Sequence, residues 1–551
     1  MPVHTVFEED NLVPLVAHDG ILSLFSRLDG GMYQLSYPEG DGQYLELSLE
    51  RFSSPYISLG EPYVYDVAHL DGAARVTTVL VAAGGLHDAE EWILPAPSTK
   101  THSLSRLLPR APGEPPLLVF TPTSPGRGSA LVNVSTGTRS EIRHGPHEEA
   151  CAALRDGSVL FQTRSGWSLV DHAGKRLRGT GDVVSTGSDA FVIRRGSKDG
   201  RSFWIVNNGR QVEILAPDGW YIISCVVDEP GFLASIAHRR QGHALMRVNR
   251  DGIPCGISPV GGTVQLYDLG SGHPPVVRTT SVAEGSLWII GGARVHGVAP
   301  PRDDLHARHD TVEGLPGVLI SRTTGLSRRL LVALHGGPDS YELDDLRYGG
   351  AYREIVDAGF DVLVLNYPGS TGFGEEFQRS AWVNWQSARQ RTSAAARRVW
   401  ADGGYEELVL FGVSFGAWLA LQLAHDVEAS HVVAMAPILN LAEHLQQHAT
   451  QNSAFKAWAD SRFGVRWPQA HVGDSMVSTC PVPVTLIVPE DDEVIAPVMT
   501  WRVISRSRED GRQWDSVTVP GSHYPSTHGD AAARWGALQN AICGAARCKR
   551  T

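Results

Sequence analysis

Two patterns of apolar and polar positions divide the chain. Over the first 300 residues, short runs alternate apolar and polar side chains, among them GQYLELSL (42–49), ARVTTVLVAAG (74–84), PLLVFTP (116–122), GSVLFQTRSGWSLVD (157–171), RSFWIVNNGRQVEIL (201–215), GFLASIAHR (231–239) and HALMRVN (243–249). Period-two alternation in runs of this length, with turn residues between them, marks β-strands. The runs group at about 40 residues per unit, the period of a four-stranded propeller blade, which gives seven blades or six. A pair of β-sandwiches is the alternative. Beyond residue 300 the texture changes. Continuous apolar runs at 330–334, 407–411, 484–488 and 517–519 suit strands of a parallel sheet buried on both faces, and the Ala/Leu-rich 417–425 suits a helix. The pattern predicts an all-β domain over 1–300 and an α/β domain with a mostly parallel, doubly wound sheet over 301–551. The polar, proline-bearing HGVAPPRDDLHARHDTVEGLP (296–316) is the expected crossover between them.

Length and charge narrow the function classes. A chain of 551 residues exceeds what one core serves, in line with two domains. It carries 48 Lys and Arg against 60 Asp and Glu, a net charge of −12 with no basic run, which argues against a nucleic-acid partner. No stretch approaches the ~20 apolar residues of a membrane span, and the acidic MPVHTVFEEDNL does not read as a secretory signal, so a cytoplasmic protein with no membrane partner is expected. Its six cysteines form no C-x-x-C pair, and neither a Walker loop nor a dinucleotide fingerprint is present. No metal and no cofactor are expected. Homo-oligomerisation is left open.

Candidate chemistry enters at ELVLFGVSFGAWLALQLAH (407–425), where Gly412-Val413-Ser414-Phe415-Gly416 lies between a strand and a helix. Such a turn holds a serine in a strained conformation with its hydroxyl lifted clear of the sheet, the nucleophile elbow of α/β hydrolases. It also puts the Phe415 N–H at a helix N-terminus, where an oxyanion is stabilised. A serine needs a base and an acid, which in this fold follow it in the order Asp/Glu, then His. The loops after two later strands carry Asp491, Asp492, His523 and His528. Asp492 and His523 are the preferred pair, with Asp491 and His528 as fallbacks. LLVALHGGPDS (330–340) offers Gly336 and Gly337 for the other half of an oxyanion hole, as HGG-type loops do.

HGGP, then VLVLNYPGSTGFGEEF (362–377), GVSFG and the Asp and His loops together resemble the prolyl oligopeptidase family of serine peptidases, which includes acylaminoacyl peptidases and dipeptidyl peptidases. The resemblance covers roughly residues 305–546. It implies an α/β hydrolase catalytic domain preceded by a β-propeller that filters substrates by size, and cleavage of peptide or acyl-amino bonds of short peptides through an acyl-enzyme. An esterase, acyltransferase or macrocyclase acting on an acylated small molecule or modified peptide is the alternative, and a non-catalytic propeller scaffold a second. His335, Tyr367, Phe455 and Trp458 are candidates for the substrate pocket. For a dipeptidyl peptidase, Glu90-Glu91 or Glu148-Glu149 would have to hold a substrate ammonium. The chain departs from the family at Pro368, where an arginine is usual, and at Trp385-Gln386, where Trp-Gly is usual.

Overall fold

The computed structural model describes residues 12–545 except 19–20, 27–31, 37–44, 48–54, 58–62, 83–84, 101, 109–115, 123–128, 134–135, 143–147, 172, 198–199, 271–272, 326 and 466. Among the described residues before 300 the short runs pair into seven consecutive four-stranded antiparallel sheets, over 12–47, 55–95, 102–142, 149–179, 182–213, 220–260 and 263–296. Alternation along a strand sends neighbouring side chains to opposite faces. In the third sheet, Leu118 and Phe120 therefore pack with Val76 of the second, whereas Val119 packs with Val159 and Phe161 of the fourth. Both faces are buried, and for that reason the inner strands read as nearly continuous apolar runs.

The same stacking joins the fourth sheet to the fifth through Leu160, Trp167 and Phe191, and the sixth to the seventh through Val226, Leu233, Val264 and Val277. Leu12, Leu22 and Leu24 of the first sheet share a core with Val276, Trp288 and Ile290 of the seventh. First and last sheets thus meet, and the ring closes as a β-propeller.

The rest of the chain builds one eight-stranded sheet from β1 (Leu305–Val312), β2 (Leu315–Arg322), β3 (Arg329–Leu334), β4 (Phe360–Leu365), β5 (Glu407–Val413), β6 (His431–Met435), β7 (Val484–Pro489) and β8 (Trp514–Val519). Their order across the sheet is β1-β2-β4-β3-β5-β6-β7-β8. The first two pairings are antiparallel and the following ones parallel, so from β3 onward every strand points its carboxyl end to the same edge. The helices are α1 (Ala351–Asp357), α2 (Glu375–Arg379), α3 (Trp385–Gly403), α4 (Phe415–Leu423), α5 (Leu441–Gln451), α6 (Ser453–Phe463), α7 (Pro468–Ser478), α8 (Pro497–Glu509) and α9 (His528–Ala545). The crossover is shorter than the polar stretch 296–316 suggests. The break between the seventh sheet and β1 is 297–304, because from Leu305 the polar residues alternate, His306, Arg308 and Asp310 outward, along an edge strand.

Polar contacts lock the propeller onto this sheet. Asp344 accepts from the Val282 N–H (2.7 Å) and the Ser281 hydroxyl (2.7 Å), and pairs with His309 Nε2 at 2.8 Å. Arg239 donates to the Phe373 carbonyl (2.9 Å) while its guanidinium lies over the rings of Tyr221 and Phe377.

Candidate active site

Strand β5 ends at Val413 and α4 begins at Phe415, so Ser414 alone makes the turn. Its φ of 53° and ψ of −116° lie outside the conformations an L-residue prefers. The strain is held in place by backbone bonds. Ser414 N–H donates to Met435 O on β6 (2.9 Å), and Ser414 O accepts from Ala417 N–H (3.2 Å) at the start of α4. The two glycines are required by contact: a Cβ on Gly412 would be driven into the Gly416 backbone, and one on Gly416 into the Leu334 and His335 carbonyl oxygens. Helix geometry gives the N–H of Phe415, the first residue of α4, no acceptor within the helix.

The loop after β3 runs against this elbow. A Cβ on Gly336 would stand 3.4 Å from Ser414 Cβ and 3.3 Å from Val413 O, and Gly337 has a φ of 132°. Two backbone segments with N–H groups therefore converge beside Ser414. Next to this loop His335 is buried, with Nε2 2.7 Å from Ser370 Oγ and its ring stacked on Tyr367 at 4.4 Å. Burial pushes its pKa down to about 3, so it stays neutral. His335 and Tyr367 are 1 % and 0 % exposed. Phe455 and Trp458 are only partly buried, their rings 5.1 Å apart. Of the four pocket candidates, these two keep exposed surface.

The acid and base meet at the ends of β7 and β8. His523 Nδ1 donates to Asp492, at 2.9 Å to Oδ2 and 3.1 Å to Oδ1. Both residues are buried, whereas Asp491 is exposed. Asp492 Oδ1 also accepts from the N–H groups of Val494 (3.0 Å) and Ile495 (2.6 Å), which fixes the carboxylate. A ring whose Nδ1 carries the shared proton presents Nε2 as a free base. His528 is half-buried at the first turn of α9, five residues further on.

Three contributors carry no sequence signal. Glu493 accepts from the His523 N–H (3.0 Å), and the buried Arg534, inside α9, donates to the carbonyls of His523 (2.6 Å) and Ser522. Asp339, directly after HGGP, accepts from Trp458 Nε1 (2.7 Å), Arg462 Nη2 (2.9 Å) and Gln378 Nε2 (3.1 Å). Each reads in sequence as an ordinary charged surface residue. Of the acid pairs weighed for an ammonium site, Glu148 is paired with Arg176 at 2.8 Å, Glu91 and Glu149 are exposed on strands, and the side chain of Glu90 lies outside the described residues.

Residues 351–533 match the model of the prolyl oligopeptidase family, Peptidase_S9. The match includes Ser414, Asp492 and His523 and leaves the HGGP loop outside. Acylamino-acid-releasing enzyme 2 of Oryza sativa subsp. japonica is 28 % identical over 152 residues, 26 % of this chain and 19 % of that enzyme. Dipeptidyl-peptidase 4 of Giardia intestinalis is 35 % identical over 94 residues, 16 % of this chain and 12 % of that one. These alignments span less than a fifth of the relatives' own lengths. In fold the likeness spans nearly the whole chain. The acylaminoacyl peptidase of Pyrococcus horikoshii superimposes with a TM-score of 0.66 at 11 % identity, over 96 % of this chain and 94 % of that one. A puromycin-hydrolyzing peptidase of Mycobacterium tuberculosis gives 0.64 at 14 %, over 96 % and 94 %. Among the described residues no three His, Cys, Asp or Glu side chains are grouped to hold a metal, and no helix is long and apolar enough to cross a membrane.

Proposed function

We propose that the chain is a serine hydrolase of the prolyl oligopeptidase type, which cleaves peptide or acyl-amino bonds of short peptides through an acyl-enzyme. Residues 1–300 form its gating domain and 301–551 its catalytic domain. The observation that carries this reading is the buried His523–Asp492 pair, placed at the same sheet edge as the strained turn of Ser414.

Ser414 Oγ attacks the substrate carbonyl carbon as His523 Nε2 takes its proton, and Asp492 stabilises the imidazolium. Negative charge on the carbonyl oxygen is met by the Phe415 N–H and by the Gly336–Gly337 loop. His523 then gives the proton to the departing nitrogen, the C–N bond breaks, and an ester to Ser414 remains. Water, deprotonated by His523, releases the acid product and restores the serine.

The test is turnover of blocked peptidyl amides beside esters of the same acyl groups, with product masses read by mass spectrometry. The proposal expects amide cleavage with products carrying the mass of added water. Ester-only turnover, or cyclised products lacking that mass, would replace it with the esterase or the acyltransferase reading.

A further inference from the structure

Helix α6 is tied to both segments that flank Ser414. On one side Trp458 Nε1 and Arg462 converge on the Asp339 carboxylate, two residues past Gly337, and Gln378 of α2 supplies a further N–H. The pair is well shielded: the Arg462 and Asp339 side chains are 14 % and 26 % exposed, and the guanidinium lies 3.8 Å over the Trp382 ring. On the other side Phe463, the last residue of α6, stacks on Trp385 at 5.4 Å, and Trp385 packs edge-on against Phe415 at 4.8 Å. The Arg462 carbonyl accepts from Trp385 Nε1 (2.8 Å) and Val383 N–H (2.9 Å), which fixes this second route. One end of one helix thus holds the HGGP loop through charge-assisted hydrogen bonds and Phe415 through aromatic contact.

The exposed parts of Phe455 and Trp458 lie on the same helix. Trp458 both presents ring surface and donates to Asp339. The geometry points to Asp339 as a positioning residue: an acyl chain seated against Phe455 and Trp458 steadies the Trp458–Asp339–Arg462 clamp, and the clamp sets the Gly336–Gly337 donors at the distance the oxyanion requires. Binding energy from a remote part of the substrate is then expressed in kcat and not in KM. This rests on the proposed hydrolase reading.

The experiment compares p-nitrophenyl acetate with p-nitrophenyl 3-phenylpropionate on the full chain, as kcat and KM separately, in wild type, Asp339→Ala and Trp458→Phe. Wild type should turn over the phenylpropionyl ester with the higher kcat, by about tenfold or more. In Asp339→Ala that ratio should fall close to one with KM changed by less than about threefold, and Trp458→Phe, which keeps a ring but loses the N–H, should lie between. A purely structural role would lower the melting temperature and leave the ratio of the folded enzyme as it was. An unchanged ratio, or an equal loss of kcat on both esters, overturns the clamp. If Asp339→Ala does not fold, Trp458→Phe decides by the same ratio. A wild-type protein that neither turns over esters nor reacts with a fluorophosphonate takes down the hydrolase reading and the clamp with it, whereas a reactive wild type with unchanged ratios removes the clamp alone.

Discussion

At the scale of single residues, the proposed chemistry depends on which of two neighbours is buried. Asp491 and Asp492 are equivalent in composition, yet Asp492 is the one enclosed by two backbone N–H groups and the His523 ring. Asp492→Asn should therefore lower kcat by about 10³-fold or more, since an amide can hold the imidazole in the wrong tautomer, and Asp491→Asn should leave it within about twofold. Steady-state kinetics on a peptidyl amide checks both. The choice was legible in part from sequence, because the closest register to the G-x-x-D-x-x-V-P pattern common in such hydrolases, with Pro489 and Ile495 in place of its Gly and Val, favoured Asp492, and His523 stands four residues after Val519. Burial, which settles the contrast with Asp491, depends on how the loops fold against each other. Arg534 and Glu493 were not legible at all, for their roles arise only when α9 and the acid loop fold against residues 522–523.

Elements bring out the backbone's part. The elbow between β5 and α4 works only because Gly412 and Gly416 let strand, helix and the end of β3 approach within van der Waals contact. Gly416→Ala puts a methyl group into two carbonyl oxygens of β3 and its loop, and should destabilise the fold by roughly 3 kcal/mol or more. Denaturant titration reads that cost, and near-normal stability would mean that the β3 loop is free to retreat. This element was legible because glycines at fixed spacing between an apolar run and an Ala/Leu run leave few alternatives. The start of β1 was not. Its polar alternation reads as linker until β2 is there to pair with it.

Over the whole molecule, the propeller seam carries buried groups whose titration should be measurable. His243, on a propeller strand, is fully buried with its ring 5.4 Å from that of Tyr341, and burial pushes its pKa down to about 4. Folding must keep this imidazole neutral, whereas the unfolded chain binds a proton below ~6.5. Its contribution is therefore absent at neutral pH and becomes a growing penalty as pH falls from about 6.5 towards about 4. His243→Gln should reduce the slope of unfolding free energy against pH by about 1.4 kcal/mol per unit in that window, measured against wild type so that other groups cancel. An unchanged slope would mean that the seam admits water. A ring of sheets docked over the hydrolase edge also predicts that short peptides are cut while a casein-sized chain is spared, which a timed gel would show; rapid digestion of the large chain would refute the gate. The seven sheets were only faintly legible, since each repeat preserves burial and turn positions but hardly any residue identities.

The proposed hydrolysis stands or falls with Ser414 as a nucleophile activated by His523. Labelling with a fluorophosphonate, followed by mapping of the adduct in the digested protein, tests it most directly. One adduct on the peptide containing Ser414, absent in Ser414→Ala and formed far more slowly in His523→Ala, is the predicted result; no adduct on the folded wild-type protein, or an adduct on another serine, would contradict it.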